Sequence, residues 1–308
     1  MAGQKKISFA GIKIWLKAAR PFTFTASVIP VLLGGVMALS FGGETAWPLF
    51  LIFLVCSVLF HAATNLINDY YDFQKGVDKE HTFGSSGVLV RGELPARDVL
   101  VAGRALFAIG FFLGLLLVSA RGWPIFILGV AAIAGGYAYT GQPIAYKYSA
   151  LGDLFVFLLM GVLLVGGAYF TLTGVYAGEV FYVSLPIGAL VTAILHSNNL
   201  RDRRHDIQAG IKTLAVILGH RRAQVQYYFL ILFAYLSVLM MVFSGMIPGW
   251  AVSVFLSVPL AVKNMRMVRD SREDHPESLA AIDVQTAKLH FIFGVLLILS
   301  ILAGAFYG

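Results

Sequence analysis

Apolar runs long enough to cross a bilayer recur along the whole chain, and short polar connections separate them. A helix needs about 20 predominantly apolar residues to span the hydrocarbon core of a membrane. The pattern predicts one domain over residues 1–308, an all-α integral membrane protein with nine transmembrane helices. The predicted spans are 22–40, 47–67, 98–119, 123–140, 151–173, 180–199, 225–243, 247–262 and 289–307.

The composition supports membrane insertion and excludes several kinds of site. The chain is 58% hydrophobic and 13% charged, whereas soluble domains are about a quarter charged. Its mean hydropathy is +0.80. The single cysteine, Cys56, lies within an apolar run. A disulfide framework and a cysteine-based metal site are therefore excluded.

The basic residues gather on one side of the predicted membrane layout. Nine spans make the connections alternate sides, and cytoplasmic connections carry an excess of Lys and Arg. The basic residues fall in a surface-lying segment, 1–20, and in the even-numbered connections, whereas Arg121 is the only one in a connection on the opposite side. We therefore expect a multi-pass protein of the cytoplasmic (inner) membrane, with polar connections 68–97 and 200–224 facing the cytoplasm. The net charge of +7 then reflects membrane topology, and no nucleic-acid partner is expected.

The second predicted span ends in a run of amides and acids. Asn65, Asn68, Asp69 and Asp72 are spaced i, i+3, i+4 and i+7, so they share one helical face. Asp78 follows shortly after. A helix end that frays into water is the alternative interpretation. Four aligned polar groups behind an apolar span favour a functional site, because such a face is costly in a membrane.

The sixth predicted span ends in a similar run. Asn198, Asp202 and Asp206 are spaced i, i+4 and i+8, again on one helical face. A solvated loop with local Asp–Arg pairs is the alternative. The repetition of one design on the same side of the membrane favours a shared site.

Acids at two helix ends are suited to Mg²⁺, which prefers oxygen ligands and often joins one or two carboxylates to substrate phosphates. The histidines His61, His196 and His205 are not spaced like zinc ligands. Basic side chains nearby could contact phosphate oxygens, although each also fits the ordinary cytoplasmic excess of positive charge. These candidates are Arg20, Arg91, Lys147, Arg201 and Lys212.

The two motifs resemble those of the UbiA superfamily of intramembrane prenyltransferases. The resemblance rests on Asn68-Asp69-x-x-Asp72 with Asp78, on Asp202-x-x-x-Asp206, and on the nine-span layout. The family's first motif commonly has its last Asp four residues after the middle one, where this chain has Gly76. The residue sequences of both motifs are most similar to those of the MenA-type branch, which prenylates 1,4-dihydroxy-2-naphthoate. The segments Arg20-Pro21-Phe-Thr and Tyr139-Thr140-Gly141-Gln142-Pro143 also fit that branch.

The resemblance implies a fold, a reaction and a set of roles. The helices would surround a central cavity under a cytoplasmic polar cap, and Mg²⁺ would hold a polyprenyl diphosphate while its allylic C–O bond ionises and an aromatic ring attacks. The implied metal ligands are Asp69, Asp72, Asp78, Asp202 and Asp206. The implied orienting amides are Asn65, Asn68 and Asn198, and the implied diphosphate contacts are Lys147, which would be catalytic, Arg201, Lys212 and Tyr139. The loop Phe83–Gly87 is expected to be a lid, with an ordinary flexible loop as the alternative.

Two other functions remain open from the sequence. A transporter would use acids near the middle of the membrane and broken helices in matched halves, whereas the acids here lie at helix ends on one side. A related transferase would use another acceptor, such as 4-hydroxybenzoate, a chlorophyllide, haem or a glycerol phosphate.

Overall fold

The computed structural model is built from α-helices over the residues it describes, which are 9–41, 45–79 and 84–307. Residues 1–8 of the predicted surface segment and Phe83 of the predicted lid lie outside that range. The helices are α1 (Phe9–Ala19), α2 (Thr25–Phe41), α3 (Trp47–Gln74), α4 (Ala96–Arg121), α5 (Trp123–Ala138), α6 (Gly152–Val156), α7 (Leu164–Thr173), α8 (Gly178–Gln208), α9 (Leu214–Leu218), α10 (His220–Phe243), α11 (Val258–Asp270) and α12 (Ile282–Tyr307).

Short helical segments of other types extend three of these helices. A 3₁₀ turn, Pro21–Phe24, leads into α2, and a longer one, Gly249–Ser257, leads into α11. A π-helical segment, Phe157–Leu163, joins α6 to α7 so that the three form one continuous span. Single-turn π segments are frequent at functional sites.

Within the described residues, eight helical segments are long and apolar enough to cross a bilayer, which confirms a multi-pass membrane fold. The helix at the fourth predicted span, α5, has only 16 residues. At 1.5 Å per residue it is about 24 Å long, shorter than a hydrocarbon core of about 30 Å. The count of nine spans therefore stays a prediction.

Several predicted boundaries are wrong in the same direction. Helix α3 continues to Gln74 and α8 to Gln208, so residues 68–74 and 200–208 are helical, whereas Asp78 lies in the connection after α3. Helix α11 continues to Asp270, and α12 begins at Ile282 instead of 289. Hydropathy marks where a helix leaves the apolar layer, whereas backbone hydrogen bonding continues into polar sequence.

The spans pack around a central cavity. Helix α3 lies along α4, α2 lies between α7 and α12, and α8 contacts α10 and α12. Small residues permit close approach: a Cβ atom on Gly34 of α2 would lie 2.4 Å from the carbonyl oxygen of Val165 on α7. Large apolar side chains, including Phe112, Met240 and Phe243, cover the outside. Contiguous exposure of this kind is rare on soluble monomers and fits contact with lipid.

Arg121 is the basic residue that departs from the one-sided charge pattern, and it stabilises the end of a neighbouring helix. Its Nε donates to the carbonyl oxygen of Thr171 at 2.8 Å, and its Nη2 donates to that of Leu172 at 2.7 Å. These are among the last carbonyl groups of α7, which lack partners within the helix. A cation is also favoured at the negative end of a helix dipole.

Candidate active site

A cavity of about 660 Å³ opens among the helices, and its two ends differ in chemistry. Polar residues from the C-terminal ends of α3 and α8 surround the mouth. Apolar side chains of α3, α4, α5 and the π segment form the body, for example Phe53, Leu117 and Leu159. Most of the side chains that line the body are apolar. A charged group is therefore accommodated only at the mouth, and a long apolar group fits below it.

The first acidic motif divides between the cavity and the adjacent protein. Asn65, Asn68 and Asp72 line the cavity, whereas Asp69 is buried beside it. Both oxygens of Asp69 are engaged: the guanidinium of Arg20 donates to Oδ1, and the hydroxyl of Ser86 donates to Oδ2. Helical geometry explains the division. At about 100° per residue, the polar stripe runs from residue 68 through 72 and 65 to 69, so Asp69 lies at its edge.

Asp72 is held from two sides by consecutive residues. Lys147 Nζ lies 2.6 Å from Asp72 Oδ2 and 3.3 Å from Asn68 Oδ1. The hydroxyl of Tyr148 donates to Asp72 Oδ1 at 2.7 Å. Lys75 Nζ lies 3.7 Å from the centre of the Tyr148 ring, a cation–π contact that covers the pair. Burial alone would lower the pKa of Lys147, but the carboxylate of Asp72 raises it, so Lys147 stays charged.

The segment between α5 and α6, residues 139–151, brings Lys147 and Tyr148 into the site. The backbone N–H of Lys147 donates to the carbonyl oxygen of Tyr139 at 2.9 Å, and that of Lys212 donates to the carbonyl oxygen of Tyr148 at 3.3 Å. Tyr139 lines the cavity, and burial raises its pKa to about 12. Because α5 ends early, this segment turns back towards the acids.

The second acidic motif lies on the opposite wall of the mouth. Asn198, Arg201, Asp202 and Asp206 all line the cavity. The guanidinium of Arg201 donates to Asn198 and to both oxygens of Asp202. Its Nη1 also lies 2.8 Å from Oδ2 of Asp283 in the first turn of α12. Arg201 is thus a buried cation among acids and amides, positioned by α12 as well as by its own helix.

The segment 84–87 connects the two motifs. A Cβ atom on Gly84 would lie 2.6 Å from Asp202 Oδ2, so only glycine permits this approach without a shift. Ser86 donates to Asp69 on the other motif. Residues 84–86 also line the cavity mouth. This arrangement supports the predicted lid, which stays a prediction.

Two basic residues predicted to contact a phosphate lie elsewhere. Arg91 is outside the cavity wall, where its Nε donates to Glu93 Oε1 at 2.7 Å and its Nη2 to the carbonyl oxygen of Ser86 at 2.9 Å. The side chain of Lys212 is exposed and also outside the wall. Arg91 therefore supports segment 84–87, and Lys212 contributes its backbone N–H. Charge and sequence proximity alone do not specify which way a side chain points.

The acids at the mouth are suited to an oxygen-ligated divalent cation. Asp78 lies in the cavity wall, and burial followed by the charge of Asp72 raises its pKa to about 7. Within the described residues, no three His, Cys, Asp or Glu side chains are close enough to form a complete protein cage for one ion. Separate carboxylates fit Mg²⁺, which takes one or two of them and completes its shell with water and phosphate oxygens. A cation there would also relieve the repulsion that raises the Asp78 pKa.

Two residues of this site, Tyr148 and Asp283, were not predicted from the sequence. Tyr148 is adjacent to the candidate Lys147. A tyrosine next to a predicted phosphate-binding lysine in a polar connection was a sequence signal for a second site residue. Asp283 was not considered because the last helix was predicted to begin at 289, whereas α12 begins at Ile282. Ser86 belongs to the predicted lid, but its partner Asp69 is fixed only by tertiary contact.

Comparisons with known proteins agree on one family. The sequence model of the UbiA prenyltransferase family matches residues 27–292. The 1,4-dihydroxy-2-naphthoate octaprenyltransferase of Bacillus subtilis (strain 168) is 34% identical over 293 residues, 95% of this chain and 93% of that protein. The UbiA prenyltransferase domain-containing protein 1 of Xenopus tropicalis is 32% identical, over 93% of this chain and 81% of that protein.

A solved structure supports the fold. A UbiA homologue from Archaeoglobus fulgidus, bound to GPP and Mg²⁺, superposes with a TM-score of 0.60. The two chains are 17% identical, and the match covers 92% of this chain and 99% of that one.

Proposed function

This chain belongs to the UbiA prenyltransferase family and is an enzyme that transfers prenyl groups, and we propose that its donor is a polyprenyl diphosphate and its acceptor 1,4-dihydroxy-2-naphthoate. The products would be the reduced (quinol) form of demethylmenaquinone, diphosphate and CO₂. The acceptor is supported by the Bacillus subtilis relative and by the residue sequences of the two motifs. We also propose that residues 1–308 form one domain, since α1 to α8 and α12 all contribute to one cavity wall.

The observation that carries this proposal is the shared mouth. Acidic ends of α3 and α8 face one cavity whose remaining wall is mainly apolar. A polyprenyl diphosphate has the same division into an anionic head and a long hydrocarbon tail. The head would lie between the two motifs, and the tail would occupy the cavity body. Water is excluded there by apolar walls, which protects an allylic cation from hydrolysis.

The residues at the mouth fit Mg²⁺ as the cofactor. Asp72 and Asp78 on one wall, and Asp202 and Asp206 on the other, would each offer one or two carboxylates to a Mg²⁺ ion, with Asn68 and Asn198 as orienting amides. When bound, Mg²⁺ neutralises diphosphate charge and favours cleavage of the allylic C–O bond. Asp69 lies outside the cavity wall, so a ligand role for it would require the mouth to rearrange. The Archaeoglobus fulgidus homologue was solved with Mg²⁺ and GPP, which supports this cofactor.

Three side chains are placed to act on the leaving group. Lys147, Arg201 and Tyr139 line the mouth and carry N–H or O–H donors. Donors fixed before the reaction stabilise developing negative charge more effectively than water does. The membrane orientation is proposed from the one-sided distribution of Lys and Arg, which puts the mouth at the cytoplasmic face of the inner membrane.

Purified enzyme, Mg²⁺ and a polyprenyl diphosphate should be incubated with a panel of aromatic acids, with products read by mass. We expect alkylation of 1,4-dihydroxy-2-naphthoate, loss of turnover on chelation by EDTA, and recovery with added Mg²⁺. Asp202→Asn should abolish turnover, whereas Asp270→Asn, at an exposed acid outside the cavity, should not. Alkylation of another ring alone would refute the acceptor. Full activity of Asp202→Asn would refute the metal site.

A further inference from the structure

A cluster of four polar residues lies in the cavity wall below the acidic mouth. It consists of Thr23, Ser27, His61 and Asn65, and all four line the cavity. His61 is on α3, seven residues before Asn68, which places it roughly 10 Å deeper at 1.5 Å per residue. An aromatic acceptor that meets the allylic carbon beneath a bound diphosphate would reach this depth. None of the steps proposed above uses His61.

Hydrogen bonding specifies the tautomer of His61. The Thr23 hydroxyl donates its single proton to the carbonyl oxygen of Arg20 at 2.8 Å. With that proton committed, Thr23 Oγ1 can only accept, and it accepts from Asn65 Nδ2 at 3.1 Å and from His61 Nε2 at 3.2 Å. In the neutral ring the proton is then on Nε2, and Nδ1 has the free lone pair. Nδ1 accepts from the Ser27 hydroxyl at 2.6 Å.

The Ser27–His61 pair differs from the other α-helical hydroxyls of this wall. Ser57 and Thr64 donate to carbonyl oxygens of their own helix, those of Leu54 and Phe60, both at 2.8 Å. Such local bonds are ordinary in helices. Ser27 instead donates to a side chain on another helix. It packs in the cavity wall and is 1% exposed, so bulk water does not reach the pair, and a ligand reaches the Ser27 hydroxyl after a local side-chain shift. A hydroxyl bonded to an oriented imidazole is the arrangement of a proton relay.

We propose that Ser27 and His61 bind a phenolic hydroxyl of the aromatic acceptor and take its proton during prenyl transfer, an inference that rests on the proposed function. The acceptor O–H gives its proton to Ser27 Oγ as the Ser27 proton passes to His61 Nδ1. Thr23 and Asn65 are positioning residues, since they hold the ring with Nδ1 towards Ser27. Phe24 packs edge-on against the imidazole, with ring centres 5.5 Å apart.

The allylic C–O bond breaks with its electron pair on diphosphate, and a ring carbon of the phenolate forms the new C–C bond, which leaves a carbonyl at the former hydroxyl. The alkylated carbon then loses a proton to the released diphosphate, or CO₂ where it carried a carboxylate, and the electron pair restores the aromatic ring. The oxygen regains its proton from His61 through Ser27, so both residues return to their starting state.

The test uses His61→Gln and Ser27→Ala, with Ser237→Ala as the matched control. Ser237 is a helical serine outside the cavity wall, bonded to the carbonyl oxygen of Phe233 at 2.7 Å. We expect both site variants to lower kcat for 1,4-dihydroxy-2-naphthoate about 10²-fold, within the range for removal of general acid–base catalysis. Binding of the Mg²⁺–polyprenyl diphosphate complex without acceptor should stay native-like by calorimetry.

Acceptors of graded acidity separate a proton relay from a structural contact between α2 and α3. With acceptors already ionised at the assay pH, the loss in both variants should shrink towards the control value. Equal loss with every acceptor, loss of diphosphate binding, or native kcat in Ser27→Ala would overturn the relay. If the native enzyme alkylates no aromatic ring, the proposed function fails. If the native enzyme alkylates a ring and both variants are equally active, only this inference fails.

Discussion

Lys147 Nζ lies 2.6 Å from Asp72 Oδ2, which pairs a cation from the segment after α5 with an acid at the end of α3. Both side chains are largely buried, with exposed fractions of 14% and 3%. The pair lies at the mouth of the cavity, opposite the Asp202–Asp206 face of α8. A cation in this position neutralises an acid of the free enzyme and remains available to an anionic substrate.

Replacement of Lys147 by methionine should impair use of the diphosphate substrate. Methionine keeps similar bulk but removes the charge. We expect kcat/KM for polyprenyl diphosphate to fall about 10²-fold or more, the usual cost of one preorganised donor. Lys212→Met removes the same charge from an exposed position outside the wall and should remain within about 3-fold of native. Initial rates measured against donor concentration compare the two. A larger loss in Lys212→Met would reverse the structural assignment.

The hydroxyl of Tyr148 orients Asp72, so Tyr148→Phe should have a smaller effect. Loss of one hydrogen bond to a carboxylate corresponds to about 1–2 kcal/mol, or roughly 5- to 30-fold in kcat/KM. The apparent Mg²⁺ affinity should weaken as well, because Asp72 loses one of its two restraints. Activity titrated with Mg²⁺ checks this. The control is Tyr182→Phe, at an exposed tyrosine outside the cavity wall. An unchanged Mg²⁺ dependence in Tyr148→Phe would contradict the role of Tyr148 in orienting Asp72.

Removal of the Arg121 side chain should destabilise the fold without a change in chemistry. Two carbonyl groups at the end of α7 lose a charged donor in Arg121→Ala. We expect about 2 kcal/mol lower free energy of unfolding, and a native kcat per folded molecule. Thermal denaturation in one detergent gives the comparison. Arg269→Ala breaks an exposed pair with Asp270 and should melt close to the native temperature, because exposed ion pairs contribute little. Similar melting of both variants would refute the capping role.

The contact between α2 and α7 should be sensitive to one added methyl group. In Gly34→Ala the new Cβ would lie 2.4 Å from the carbonyl oxygen of Val165, so the helices must separate. Overpacking of this kind costs about 1–3 kcal/mol. Gly166→Ala, on α7 itself, has open space around its Cβ and should be neutral or stabilising by up to about 1 kcal/mol. Unfolding of the two variants is compared directly, and equal stability would show that α2 and α7 tolerate separation.

Much of the site was predictable because helical periodicity is local. Asn65, Asn68 and Asp72 recur on one face of α3 whatever surrounds it, and Asn198, Asp202 and Asp206 do the same on α8. The family model and the relatives confirm the resemblance first read from these motifs. Individual ligand roles stay predictions. The boundaries were less accurate, since polar helix ends have no hydropathy signal.

Hydrophobic run length and side-chain periodicity act over short distances, so the amino-acid sequence alone specifies a helical membrane protein with acids at two helix ends. The tertiary structure decided which charges meet. It paired Asp69 with Arg20 and Ser86, directed Lys147 and not Lys212 to Asp72, and placed His61 beside Ser27 in the cavity wall. These pairings join residues distant in the chain, and they depend on how helices pack and where segment 139–151 turns back.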